Sequence, residues 1–423
     1  MKRFLIIAVA LVAISAGGWV ANDRVNFDRS AWLADYEQLR SAVEAGYANL
    51  QWTRPSKNVD LVTLNATALQ QLQGATSNSE ARQALQTFIS GFDDGHFRIE
   101  RNPPRPIAAV MSWFERDADI TIDFKMSASD ACSAFGFGAQ SHDLAVEGAE
   151  PLANATFAAA MLTSARGGKY GVIRIPLFQQ REYGAVCEKA WPQFQAGRTG
   201  QCDENCQDDF NVVVKHEVAQ ALADDARALA AAGANAIVID LTGNGGGTEW
   251  AEFAAAALTG KPLQLPQVAL VRAISDSANT TCDLSALWKD RNYQPACWNV
   301  VPSKSEPHET RAYARPYQGP LYIMTDPNTA SASEQFAATL QDNGVARTIG
   351  QHTMGVGCGY VDGGNPVTLK NSGIVVWMPN CARFRADGSN EFDGVKPDYP
   401  ADWGSDAASK TRVLLSVLDR MPR

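Results

Sequence analysis

The stretch that most constrains this 423-residue chain runs from Pro320 to Tyr360, PLYIMTDPNTASASEQFAATLQDNGVARTIGQHTMGVGCGY. Leu321–Thr325 reads as a buried strand, Asp326, Pro327 and Asn328 as a sharp turn, and a helix begins near Ser331. Phe336 and Leu340 give that helix an apolar pair one turn apart, and Asp342, Asn343 and Gly344 stop it. A serine between alanines at a strand-to-helix junction can hold its hydroxyl in the open beside helix N–H groups. Attack on a carbonyl needs that arrangement, because the alkoxide forming next to the nucleophile requires preorganised donors. The segment Ser331-Ala-Ser-Glu334 also fits a capping box, in which the serine only satisfies an orphan amide. On this stretch alone both readings stand.

Residues 234–258, ANAIVIDLTGNGGGTEWAEFAAAAL, form a second strand, glycine turn and helix, so the chain is expected to be α/β. The turn, Gly243 to Gly247, is neither G-x-G-x-x-G nor a P-loop, so it does not point to a nucleotide. A purely structural glycine turn is its plain alternative. Upstream, KYGVIRIPLF from Lys169 reads as a strand, residues 183–210 as a cysteine-bearing insertion, and Asn211–Ala232 as a helix. Before these, residues 30–50 make an amphipathic helix with Ser30 as cap and Trp32, Tyr36, Leu39 and Val43 on one face. A second helical run covers Val62–Leu72, and a third starts near Ser77 with Leu85, Phe88, Ile89 and Phe92 facing one way. It ends at the turn Asp93-Asp-Gly-His96, followed by a strand, HFRIE.

Composition narrows the class. A net charge of −9, or −11 with Lys2 and Arg3 set aside, leaves no basic patch and argues against a nucleic-acid partner. Met-Lys-Arg followed by FLIIAVALVAISAGGWVA resembles a secretory signal, with cleavage after Ser15 as one outcome. The competing reading is an uncleaved membrane tether through residues 4–21. Either way the body is expected outside the cytoplasm, periplasmic or secreted, where its eight cysteines can form disulfides. Cys282–Cys297 would close a local loop, Cys358–Cys381 would join two segments near the serine, and Cys132, Cys187, Cys202 and Cys206 would pair among themselves. Cys202 and Cys206 have no second Cys/His pair at zinc-finger spacing, so neither metal nor cofactor is expected.

TASASEQFAATLQDNG followed by GQHTMGVGCG resembles the nucleophile segment of the tail-specific or C-terminal processing serine peptidases. The tricorn core protease and the modules of the interphotoreceptor retinoid-binding protein are relatives. The resemblance runs, with gaps, from about residue 80 to the C-terminus. It implies an α/β fold with a crotonase/ClpP-like β-α superhelical core, a small helical N-terminal domain and a short, mostly β insertion. The expected boundaries are 1–21 for the signal or anchor, 28–100 for the helical domain, 101–165 for the insertion or cap, and 166–423 for the peptidase core. Within that core, insertions are expected at 183–210 and 265–318. No convincing PDZ pattern appears in 101–165, so specificity for protein tails does not carry over.

The same resemblance implies the site. Ser331 would be the nucleophile, His96 the general base of the tricorn-like branch, and Glu391, before Gly394-Val-Lys-Pro-Asp398, the supporting glutamate. Without the family, His96 is an ordinary turn residue and Glu391 a solvated loop carboxylate. Asp240, Asn244, Gly246 and Gly247 match the family's D-x-R-x-N-x-G-G turn, with Thr242 in place of the arginine. The oxyanion would be held by the amides of Gly246 (Gly245 as second choice) and Ala332, with Gly245, Gly247 and Gly355 on the substrate side. The orienting serine of tricorn-like members is replaced by Gly95, leaving its role to Asp93, Asp94 or water. In the Ser–Lys branch a lysine stands 25 residues after the serine; here that position is Val356. An imidazole titrates near neutrality and is suited to the task, His352 being the rival, with Lys304 and Lys370 behind. The reading is therefore an exported serine peptidase acting on peptide or protein. The other reading is a non-catalytic module for a hydrophobic ligand or peptide on the same fold.

Overall fold

The computed structural model describes residues 23–100, 122–138, 143–247, 250–260, 263, 267–270, 284–293, 313–361, 364 and 366–421. The leader at 4–21, Cys282 and Cys297, Lys304, residues 101–121 and 139–142 of the expected insertion at 101–165, and most of that at 265–318 lie outside these residues. Two compact units emerge, and they cut the chain differently from the expected boundaries. The first gathers residues 1–102, 268–303 and 359–382, and the second gathers 103–267, 304–358 and 383–423.

In the first unit, helices Arg29–Gly46, Leu61–Gly74 and Asn78–Ser90 follow the apolar spacing read from the sequence. The first is capped by Asp28 rather than Ser30, because the Asp28 carboxylate reaches the N–H groups of Ser30 and Ala31. Tyr36, Phe88, Phe92, Tyr47, Phe97 and Trp288 meet ring to ring with centroids 5.0–5.8 Å apart, which makes an aromatic core. A small antiparallel sheet joins Arg98–Ile99, Val375–Trp377 and Val367–Thr368. Asp35 ties the turn at residues 371–372 into this unit. Fully buried, its carboxylate accepts from the N–H groups of Asn371 and Ser372 and from the Asn371 amide. A buried charge is tolerated only when so paired.

The second unit is built on a seven-stranded sheet. Its order is Tyr399–Pro400, Ala346–Gly350, Leu321–Thr325, Ala236–Asp240, Lys169–Arg174, Ala158–Thr163 and Glu150–Pro151. Neighbours from Tyr399–Pro400 to Lys169–Arg174 are parallel, and the last two strands are antiparallel additions. The strands Ala236–Asp240 and Leu321–Thr325 are buried at every position, as helices on both faces require. Ile237, Ile239 and Ile323 point to a core shared with helices Glu204–Ala231, Trp250–Thr259 and Ala332–Asp342. Val238, Tyr322 and Met324 point the other way, to Leu414 and Leu418 of the C-terminal helix Ala407–Leu418.

The region read as an insertion at 183–210 is helical: Gly184–Gln195, then the first turns of a helix that starts at Glu204, not Asn211. The first cysteine bridge, Cys132–Cys187, joins helix Ala128–Ala134 to this segment, and Cys202–Cys206 closes across the next helix start. Cys358 and Cys381 are also disulfide-bonded.

Candidate active site

Sheet and helix meet at Ser331. Coming off the buried strand Leu321–Thr325, the chain is stitched to the glycine turn by three hydrogen bonds: Gly243 N–H to Asp326 Oδ1, Thr329 Oγ to the Leu241 carbonyl, and Ala330 N–H to the Asn244 carbonyl. Ser331 then adopts φ 56°, ψ −120° before helix Ala332–Asp342 begins. An ordinary cap residue is extended with negative φ, so this serine is more than a cap. Holding a non-glycine residue there costs about 1–3 kcal/mol, and such strain marks sites where a side chain must be aimed. Gly246 makes room for it. A Cβ at that position would stand 2.7 Å from Ser331 Cβ and 2.8 Å from the Ala330 carbonyl oxygen. The Ala332 N–H opens the helix and has no intrahelical acceptor, which leaves it available beside the serine.

Glu334 holds the strained turn in place. It is fully buried, and its carboxylate collects four donors. Ser331 N–H and Val356 N–H reach Oε2 at 2.9 and 3.0 Å, while Thr353 Oγ and Gly355 N–H both reach Oε1 at 2.6 Å. One side chain thus ties the serine's own backbone to the loop after strand Ala346–Gly350. Burial pushes this carboxyl up to about 7 against the opposing pull of those hydrogen bonds. Sequence reasoning saw Glu334 only as half of a capping box; the S-A-S-E spacing was its one signal. Gly355 and Val356, read as a substrate-side glycine and a vacant lysine position, contribute their amides to Glu334.

The glycine turn differs from expectation in one respect. Gly246 N–H donates to Asn244 Oδ1 at 2.9 Å, so in this structure it serves the turn itself. Gly243, Gly245 and Gly247 are the exposed members, and the Gly243 N–H is already taken by Asp326. Asn244 is locked in turn by its amide bond to the Ile175 carbonyl. Thr242, standing where relatives carry an arginine, receives other cations: Lys410 Nζ reaches its Oγ at 2.6 Å, and Arg174 pairs with the neighbouring Asp240 at 3.0 Å. The positive charge of the motif is supplied by distant residues.

Glu391 lies in the short helical turn Glu391–Asp393 and is fully buried, not a solvated loop carboxylate. Its Oε2 pairs with Arg383 Nη1 at 3.1 Å, and the same Nη1 reaches the Gly357 carbonyl. Burial raises its carboxyl above the ordinary value, against the pull of Arg383 and Arg385. His352 is exposed, its Nδ1 facing the Thr353 carbonyl at 3.2 Å.

His96 belongs to the first unit, with a side chain 19 % exposed. Its backbone N–H binds Asp94 Oδ1 at 3.0 Å, and its Nδ1 lies 3.8 Å from the same oxygen. Tyr360 donates its hydroxyl to the His96 carbonyl and sets its ring edge-on to the imidazole. Gly359 lies against the imidazole: a Cβ there would come within 2.6 Å of Cδ2. Among the described residues no group of three or more His, Cys, Asp or Glu could hold a metal.

These features place a strained serine at a strand-to-helix junction of an α/β sheet, and comparison with known proteins decides the family. Residues 169–401, more than half of the chain, match peptidase family S41. The chain belongs to family S41. It is a serine-type peptidase, and its substrates are peptides or proteins. Among solved structures, mature CPAF complexed with lactacystin is similar at 16 % identity and a TM-score of 0.56, covering 93 % of this chain and 98 % of that one. Mature CPAF itself gives the same identity and TM-score, with 93 % and 97 % covered. At such identity the likeness speaks for the S41 fold alone. No curated protein sequence matches the chain.

Proposed function

We propose that this peptidase works by acyl transfer at Ser331, with His96 as the general base. Ser331 Oγ attacks the scissile carbonyl while His96 takes its proton. The leaving amine then receives that proton, and water, activated by the same imidazole, releases the acyl group. Ala332 N–H would hold the oxyanion from one side and an amide of the glycine turn from the other. Since the Gly246 N–H already serves Asn244, the exposed Gly245, the second choice from the sequence, is the better candidate for that amide. Glu391 would support the imidazolium charge from its pair with Arg383.

The observation that carries this reading is the backbone of Ser331, held at positive φ at a helix start by a buried carboxylate. A fluorophosphonate probe should label the wild-type protein at Ser331 and fail on Ser331→Ala, as mapped by peptide mass spectrometry. A folded wild type that resists labelling would refute acyl transfer and return the chain to a binding role. His96→Ala should abolish turnover; if it stays active while His352→Ala does not, the base is His352.

The peptidase is further proposed to act outside the cytoplasm. The Lys-Arg start with its apolar run, and the cysteine bridges, support that. Among the described residues no helix is long and apolar enough to cross a membrane. The mass of the mature N-terminus distinguishes a removed leader from a retained tether.

A further inference from the structure

We infer that Asp94 is the positioning residue for His96, filling the role left vacant by Gly95, with Tyr47 holding the carboxylate from behind. This deepens the reading above and rests on His96 carrying the proton. Asp93, at φ 53°, bends the chain so that the Asp94 side chain folds back under residue 96. Its Oδ1 accepts the His96 N–H and lies 3.8 Å from Nδ1, beyond a hydrogen bond but within ion-pair distance, so one oxygen anchors the backbone and faces the ring. Its Oδ2 accepts the Tyr47 hydroxyl at 2.8 Å. Tyr47 is itself fully buried, with its ring against Phe92 and Phe97.

An aspartate that merely shapes a turn needs none of this. Asp123 makes the same bond to the N–H two residues on, Lys125, in an exposed loop. Asp94 is 6 % exposed and has a dedicated buried donor. A carboxylate removed from water acts on a nearby imidazolium with far less screening than one in solution. The other charged or titratable groups acting around this cluster are Lys57, Asp93, Arg98 and Tyr360. Burial raises the Asp94 carboxyl, while His96 opposes that rise most strongly. Gly359 and Tyr360 hold the rest of the histidine, leaving the carboxylate to set its charge and tilt.

The test compares Asp94→Asn, Tyr47→Phe and His96→Ala on a peptide substrate across pH, with circular dichroism as a check on folding. Asn keeps an oxygen for the His96 N–H but removes the charge. We expect kcat to fall about 10²–10⁴-fold with KM near wild type, by analogy with carboxylate-to-amide changes in triads. The acid limb of the pH profile should move down by on the order of one unit, because the protonated ring loses its partner. Tyr47→Phe should lower kcat by a smaller factor. If His96→Ala is inactive while Asp94→Asn shows wild-type kcat and pH profile, the inference is overturned and the proposed mechanism stands. If His96→Ala remains active, both fall. Should Asp94→Asn fail to fold, Tyr47→Phe decides, and wild-type kcat with an unmoved profile overturns the inference.

Discussion

Replacing Glu334 with glutamine tests whether a buried, four-donor carboxylate holds the serine turn. The folded-state value of about 7 stands above the ordinary 4.5. Below about pH 4.5 the carboxyl is protonated in folded and unfolded chains alike, and its contribution to stability is fully present. As pH rises through about 7 that contribution is lost, because the unfolded chain releases the proton more readily. The difference amounts to about 3 kcal/mol. Glutamine never ionises and has no such slope. Its amide nitrogen fits best on the side of Thr353, whose hydroxyl can turn to accept, which strands the Gly355 N–H at about 1–3 kcal/mol. Glu334→Gln should therefore be less stable than wild type near pH 4.5 and about level with it above pH 7. Urea unfolding of both proteins from pH 4.5 to 8 reads this directly, since other titrating groups cancel in the difference. Curves that stay parallel would refute the reasoning. The two forms of the carboxyl also differ in what they can hold. A protonated Glu334 must donate, and among its four partners only Thr353 Oγ, which also takes the Val395 N–H, can accept. The charged form, less stable overall, is the one that fixes the turn. With the loop at 353–356 loosened, kcat of the variant should drop about 10²-fold.

Further outcomes follow from the same geometry. Ser331→Ala should lose fluorophosphonate labelling and about 10⁴–10⁶-fold in kcat, with the fold kept because alanine retains the same Cβ. Gly246→Ala should cut kcat at least about 10²-fold, because its Cβ drives into Ser331 and the Ala330 carbonyl; wild-type peptidase activity would exclude the proposed oxyanion role for this turn. Arg383→Met should destabilise the protein by about 3–5 kcal/mol by leaving Glu391 charged and alone in the interior, and Arg383→Met with Glu391→Gln should recover most of that in thermal unfolding. Removing the Cys132–Cys187 bridge by double serine substitution should cost about 4 kcal/mol, given its separation of 55 residues, as read in denaturant unfolding.

By itself the sequence determined most of the elements and singled out the serine at the strand-to-helix junction. The apolar runs at Leu321–Thr325 and Ala236–Asp240, the Ser77 cap, and the strand-to-helix serine all rest on interactions within about four residues, which periodicity and capping report directly. Where short-range rules compete, as between Asp28 and Ser30 at one cap, the choice missed by two residues. Only the tertiary structure decided which partners each charge would find. Asp35 is matched to Asn371 and Ser372, Thr242 to Lys410, Glu391 to Arg383, and Glu334 to the loop at 353–356. No spacing rule joins residues so far apart. Parallel strands bring distant turns to one edge of the sheet, and each buried charge then takes whichever donors packing leaves within reach.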